Sequence, residues 1–264
     1  MPELPEVEAV VRRLREQVLG ARITAVEAHR CAAAGVARRA VGRSIAGVER
    51  RGKHILVNLS DGWTLHVHLR MTGHLHAIPD WRLSAPSARV VIALQEGSGI
   101  VYEDPRAFGR LEMRPTPKLR AELESTLGVE PLCPEFTPDR LLVLARASRQ
   151  PVKTFLLDQR RLAGLGNIYA AEALFAAGID PRRQACRLAA PRLTRLHQEI
   201  VRVLHDAVES ARIAYGPPGG FSEGETFNCQ VYDREGQPCF TCGKKIRRLR
   251  QAGRSTYLCT SCQR

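Results

Sequence analysis

Acidic residues are the scarce class in this 264-residue chain: 27 Asp and Glu stand against 40 Lys and Arg, giving a formal charge of +13 and a pI near 9.9. No apolar run approaches the length of a membrane span, the first residues carry no signal-peptide pattern, and no segment repeats another. These absences exclude an integral membrane protein and a solenoid. They lead us to expect reduced thiols and a cytoplasmic, nucleoid-associated setting. A globular chain this basic meets a polyanion; nucleic acid is the commonest, and an anionic membrane surface is the competing reading. The hydrophobic share of 44% supplies one large or two medium-sized cores.

The cysteines fall into two groups. Cys31, Cys133, Cys186 and Cys229 are scattered singly and are read as small apolar packing residues. The others form Cys239-Phe-Thr-Cys242 and, sixteen residues further on, Cys259-Thr-Ser-Cys262. Each C-x-x-C sets two thiolates on one tight turn, and two such turns complete a tetrahedral Zn²⁺ site. No fifth ligand is evident, so the metal's task is to fold a piece too small to own a core. From Cys239 onward the chain carries Lys244, Lys245, Arg247, Arg248, Arg250, Arg254 and Arg264 and not one acid. Unrelieved positive charge on a small ribbon suits phosphates.

At the other end, MPELPEVEAVVRR opens an amphipathic helix. Val7, Val10, Val11, Leu14 and Val18 lie on one stripe, Pro5 suits the first turn, and Gly20 is a natural stop. Between about Ile23 and Met113 the short apolar runs HILVNL, TLHVHLRM, RVVIAL and GIVYED, split by turn signals, predict a β-sandwich or barrel. A proline-rich, charged stretch follows. From Pro138 the period becomes helical, and the run GPPGGFSEGE (216–225) reads as a loop.

Three motifs in this order, MPELPEVE, GLGNIYA and the four-cysteine basic ribbon, resemble the formamidopyrimidine-DNA glycosylase family and its endonuclease VIII relatives. These base-excision enzymes remove an oxidised base and then cut the strand. PELPE follows the first branch rather than the PEGPE of the second. The resemblance implies an α+β multi-domain chain: an N-terminal helix plus β-sandwich catalytic domain over 1–116, a linker over 117–131, a helix–two-turn–helix domain over 132–225 and a zinc finger over 226–264. It implies damaged double-stranded DNA as partner, one structural Zn²⁺, a monomer and no membrane.

The same resemblance assigns roles. Pro2, a terminal secondary amine once Met1 is removed, attacks C1′ of the damaged nucleotide, and the resulting iminium ion permits β- and then δ-elimination. Amino termini titrate at about 7.7–8.0, well below lysine, so a useful fraction is neutral nucleophile. Glu3 serves as general acid/base, Glu6 supports it, and Glu8 is solvated. A plainer reading makes Glu3 and Glu6 partners of the positive end of the helix dipole. Lys53, in RRGKHILV, matches the lysine that binds phosphate and assists β-elimination. Arg254, in QAGRSTYLC, matches the arginine that clamps phosphates and assists δ-elimination, its planar fork suited to phosphate oxygens.

Reaching a base in a duplex requires extruding it and filling the vacancy. Met71 in HLRMTGHL, with Arg106 and Phe108 in EDPRAFGR, matches the family's intercalating set; for Met71 the competing reading is core packing at a strand end. Ala107 stands where the family usually has a second basic residue. Gly164 and Gly166 allow close phosphate approach, and Asn167, His68, Arg89, Arg149, Lys153 and Arg160 are further DNA contacts placed by local motif. The run 216–225 is shorter than the loop that typical members fold over a flipped 8-oxoguanine. It predicts weakened 8-oxoguanine excision, with activity on formamidopyrimidines, oxidised pyrimidines or abasic sites retained. Two alternatives stay open: an endonuclease VIII-like pyrimidine glycosylase, and a non-catalytic damaged-DNA-binding protein.

Overall fold

The computed structural model describes residues 2–28, 34–214 and 227–264; Met1, Cys31 and the run 216–225 lie outside the described residues. Packing divides the chain into two units, one of Met1–Ser125 with Ala211–Glu223 and one of Thr126–Ser210 with Gly224–Arg264.

The first unit opens with α1 (Leu4–Val18), which has Pro5 in its first turn and Glu3 at its N-cap. The expected stripe is real: Val7, Val10, Val11, Leu14 and Val18 are all buried. After α1 come β1 (Ile23–Ala28), α2 (Ala34–Ala40), β2 (Ile45–Arg51), β3 (His54–Leu59), β4 (Trp63–His68), β5 (His74–Ile78), β6 (Ala88–Leu94), β7 (Gly99–Glu103), β8 (Arg110–Pro115) and α3 (Thr116–Thr126). Among the described residues the strands form two antiparallel sheets, ordered β1-β6-β7-β5 and β2-β3-β4-β8. Alternation along β3 and β4 turns Ile55, Val57, Leu65 and Val67 inward, into one core with Val90, Ile92, Ile100 and Tyr102 of the other sheet and with the α1 stripe.

Each sheet ends in two edge strands, and two helices cover them. α1 packs on β2 and β5, one edge of each sheet, while α2 packs on β1 and β8, the other two. Arg15 locks α1 in place by donating Nε and Nη2 to Val48 O at 3.0 and 2.7 Å. The stretch read as a linker over 117–131 is helical as far as Thr126, with Leu119 and Leu123 buried. Arg120 reaches Glu49 on β2, and Arg114 on β8 reaches Glu122, so this helix lies over the outer face of the second sheet. Its two buried leucines, four residues apart, share one helix face.

In the second unit, α4 (Pro138–Arg146) starts where the periodicity changed, with Thr137 accepting from Arg140 N–H as N-cap. With α5 (Val152–Leu156), α6 (Asn167–Ala176) and α7 (Ala190–Ala214) it encloses a core of Leu141, Phe155, Leu165, Leu174, Leu196 and Ile200. The tail forms a hairpin of β9 (Arg247–Gln251) and β10 (Arg254–Leu258). The tail belongs to the helical body: Ala171 on α6 packs with Val231, Ile246 and Tyr257. The Glu172 carboxylate beside it accepts backbone N–H from Gln230, Val231 and Tyr232 at 2.7–3.0 Å.

Leu14 is 1% exposed in the middle of the α1 stripe. Leu14→Ala is expected to cost about 2–5 kcal/mol, read as a lower urea midpoint with unchanged slope.

Candidate functional site

Pro2 and Glu3 are buried at the mouth of α1. A helix start inside a protein leaves N–H groups without intrahelical acceptors. Here a reciprocal capping box answers the need: Glu3 accepts the N–H of Glu6, and Glu6 Oε2 accepts Glu3 N–H at 2.7 Å. The two carboxylates are therefore fixed against the backbone, whatever further role they have. Glu8, read as solvated, instead accepts Arg50 Nε at 2.7 Å and Arg12 Nε at 2.8 Å, and its side chain is 17% exposed. Burial pushes its carboxyl up, but the two guanidinium groups outweigh this and hold it below the usual carboxylate range.

Lys53 is buried at the two-residue turn between β2 and β3, where Gly52 adopts φ +58°. Beyond it lies a histidine chain of which the sequence reading named only His68. His66 Nδ1 meets Glu112 Oε1 at 3.2 Å, and His66 Nε2 meets His54 Nδ1 at 2.8 Å. With Glu112 as acceptor, His66 must donate from Nδ1, so His54 donates from Nδ1 and keeps an acceptor at Nε2. The His68 ring stands edge-on to His54, and His68 Nδ1 accepts Arg70 N–H at 3.1 Å. That leaves His68 Nε2 carrying the proton, a neutral donor. Burial, then the neighbouring histidines with Arg70 and Arg51, pushes His54 down to about 3; burial, then Arg70, His66 and Lys53, pushes His68 to about 4. Burial also lowers His66, against the pull of Glu112.

The three expected wedge residues are presented to solvent. Met71 is 42% and Phe108 53% exposed, which decides against the core reading of Met71. The Arg106 guanidinium lies 4.7 Å from the Phe108 ring centroid. Ala107 between them adopts φ +59°, a left-handed conformation that costs a non-glycine residue roughly 1–2 kcal/mol.

In the second unit, Arg254 begins β10 and is exposed, beside a hairpin tip in which Ala252 and Gly253 have φ +47° and +78°. One expected DNA contact, Lys153, requires correction. Lys153 is 1% exposed, and its Nζ donates to Ser255 O and Thr256 Oγ1, both at 2.7 Å. Asn167 Nδ2 donates to the same Ser255 O at 3.1 Å. Both side chains hold the strand that carries Arg254; Lys153 does so instead of meeting solvent, because a buried ammonium needs carbonyl and hydroxyl partners, whereas Asn167 stays half-buried. Arg149 and Arg160 are exposed, whereas half-buried Arg89 donates to Asp104 O. Gly166 caps α6 without a side chain, and Gly164 N–H goes to Gln159 Oε1. Of the scattered cysteines, Cys133 is exposed and Cys186 and Cys229 are half-buried, so they are not core residues.

Cys239, Cys242, Cys259 and Cys262 converge with their sulfurs all within 4.8 Å of one another; Cys239–Cys262 and Cys242–Cys259 are 3.9 and 3.4 Å apart. Ligands about 2.3 Å from a tetrahedral Zn²⁺ are about 3.8 Å apart, so this set fits one structural zinc ion with no coordination position left open.

Comparison with known proteins agrees with this geometry. Residues 1–111 match the formamidopyrimidine-DNA glycosylase N-terminal domain, 127–215 the formamidopyrimidine-DNA glycosylase H2TH domain, and 236–264 the zinc finger found in FPG and IleRS. The chain is 40% identical over 276 residues to a formamidopyrimidine-DNA glycosylase of Chloroflexus aggregans, covering 100% of this chain and 98% of that protein. The Gluconobacter oxydans protein is 38% identical, with both chains covered in full. MutM (Fpg) from Thermus thermophilus superposes with a TM-score of 0.86 at 38% identity, over 99% of this chain and 98% of that one. Lactococcus lactis Fpg bound to an N7-benzyl-Fapy-dG-containing DNA gives 0.86 at 32%, over 99% of each. The chain belongs to the formamidopyrimidine-DNA glycosylase family, DNA-repair enzymes that also have AP lyase activity. No helix among the described residues is long and apolar enough to cross a membrane.

The neutral histidines carry a stability consequence. Unfolded imidazoles take up protons near pH 6.5 that folded His54, His66 and His68 refuse. Stability is therefore complete above that pH and falls as pH drops toward 4, by at most about 1.4 kcal/mol per pH unit for each histidine. A thermal-melt series from pH 7 to pH 5 should show this fall, and His54→Gln should flatten it.

Proposed function

We propose that this chain acts as a monomer in the cytoplasm, as a bifunctional DNA glycosylase/AP lyase that removes formamidopyrimidines from damaged double-stranded DNA. The observation that carries the reading is the mouth of α1, where Pro2 stands beside a buried, capped Glu3. Loss of Met1 gives Pro2 a secondary amine. Its lone pair attacks C1′ as the C1′–base bond breaks and the base leaves with a proton. The amine nitrogen gives up its own proton, and the C1′–O4′ bond then opens, O4′ taking a proton through Glu3, which leaves the nitrogen as an iminium ion. That cation accepts the electron pair released when a proton leaves C2′, so the 3′ phosphate is expelled, and a second elimination releases the 5′ phosphate. Glu6 keeps Glu3 in place through the capping box. Lys53 and Arg254 take phosphate charge, and the neutral His68 offers an Nε2–H donor.

Formamidopyrimidine-containing DNA is the ligand of a Lactococcus lactis relative, which supports that lesion class here. The brevity of the 216–225 run favours weak action on 8-oxoguanine. Arg149, Arg160 and half-buried Asn167 remain phosphate-contact assignments, while Lys153 acts by holding Ser255.

Borohydride trapping on duplexes bearing formamidopyrimidine, 8-oxoguanine, dihydrouracil or an abasic site tests the reading. A covalent adduct is expected, strongest on formamidopyrimidine and abasic DNA, weaker on 8-oxoguanine, and abolished by Pro2→Gly with Met1 left in place. An adduct that persists without a free Pro2 amine would sink the assignment; no adduct with binding intact would leave a damaged-DNA binder. Salt titration separates the two kinds of cation. Arg254→Gln should lower the slope of log K against log[salt] by about one, whereas Lys153→Met should leave that slope unchanged.

A further inference from the structure

Two loops present the residues assigned to filling the vacated stack. Residues 69–73, between β4 and β5, carry Met71; residues 104–109, between β7 and β8, carry Arg106 and Phe108. Both are held in shapes that side chains resist. Arg70 and Ala107 have φ +55° and +59°. A Cβ on Gly73 would lie 2.5 Å from Leu69 O, and one on Gly109 would collide with the Tyr102 hydroxyl. Such loops need an anchor if they are to keep a fixed relation to each other.

One carboxylate supplies it. Asp104 is 1% exposed. Its Oδ1 accepts Thr72 Oγ1–H at 2.6 Å from the first loop, and its Oδ2 accepts Gly109 N–H at 2.7 Å from the second and Tyr102 Oη–H at 3.3 Å. Its backbone oxygen accepts Ala107 N–H at 3.1 Å and Arg89 Nε–H at 2.6 Å. Burial pushes this carboxyl up, but Thr72, Gly109, Tyr102 and Arg89 outweigh it, so the group stays ionised and the bonds are charge-assisted. Thr72 is next to Met71, and Gly109 is next to Phe108. The two loops are therefore joined across the sheet through the oxygens of one side chain, at positions 32 residues apart in sequence.

We propose that Asp104 and Thr72 are positioning residues that set Met71, Arg106 and Phe108 as a single wedge for extruding a damaged nucleotide from duplex DNA. This rests on the assignment of those three as the void-filling set. Asp104 and Thr72 touch neither the base nor the sugar. They govern the step that opens the duplex and are dispensable once a nucleotide is already accessible.

The test compares single-turnover excision of formamidopyrimidine from duplex with strand cleavage at an abasic site in single-stranded DNA, where nothing need be extruded. Met71→Ala and Thr72→Val should each slow the duplex reaction by about fivefold or more, with the double variant no slower than Met71→Ala alone. Thr72→Val should spare the single-stranded reaction, and Thr72→Ser should restore the duplex rate. A double variant slowed by the product of the two single effects would overturn the inference, as would a parental duplex rate for Thr72→Val or equal slowing on both substrates. A silent Met71→Ala would overturn the wedge assignment itself, and the inference with it.

Discussion

Peptide groups on the outer strands of a sheet face water or a second chain unless something covers them. In the first unit that duty falls to α1 and α2, each bridging one edge of both sheets. For α1 to do so, its apolar stripe must enter the common core, and its first turn goes in with it. A buried helix start cannot leave its donors to solvent, and Glu3 and Glu6 are the response. The plain structural reading of these glutamates and the chemical one are thus compatible. The capping box that closes the helix also immobilises the carboxylate that our proposed mechanism uses.

In the second unit the same economy is met with different means. A ribbon of cations has little apolar surface of its own, so a four-thiolate metal site closes it. The helical body then holds it through polar groups that reach across: Glu172 to the 230–232 backbone, and Lys153 and Asn167 to Ser255. Arg254 is exposed on a strand whose next residue is held by a buried lysine and a half-buried asparagine. The protein's own hydrogen bonds therefore fix the backbone from which it projects.

The sequence disclosed what has a simple period or spacing. The α1 stripe and the paired C-x-x-C motifs were both legible, as were β3, β4, β6 and β7, whose runs are apolar. β2 and β8, with their VERR and RLEMRP stretches, were hidden because their outward residues are charged and paired with α3, itself read as a linker for the same reason. Lys153 was misread because a lysine near GLGN looks like a phosphate contact until β10 is seen to cross it. Asp104 was passed over beside Arg106 and Phe108, since nothing local announces a tie to Thr72. The histidine chain joins β3, β4 and β8, so its members look isolated in one dimension.

Arg50 donates Nε to Glu8 on α1 and Nη1 to Gly52 O, one residue before Lys53. The helix that begins at Pro2 and the turn that carries Lys53 are therefore coupled by a single guanidinium. Mechanically this makes them one unit. A displacement of the helix start pulls on the turn, and an insertion in the β2–β3 hairpin would be felt at the other end of the tie. The tie thus does for α1 and the β2–β3 turn what Asp104 does for the loops at Met71 and Phe108: one charged side chain fixes two segments that are distant in sequence.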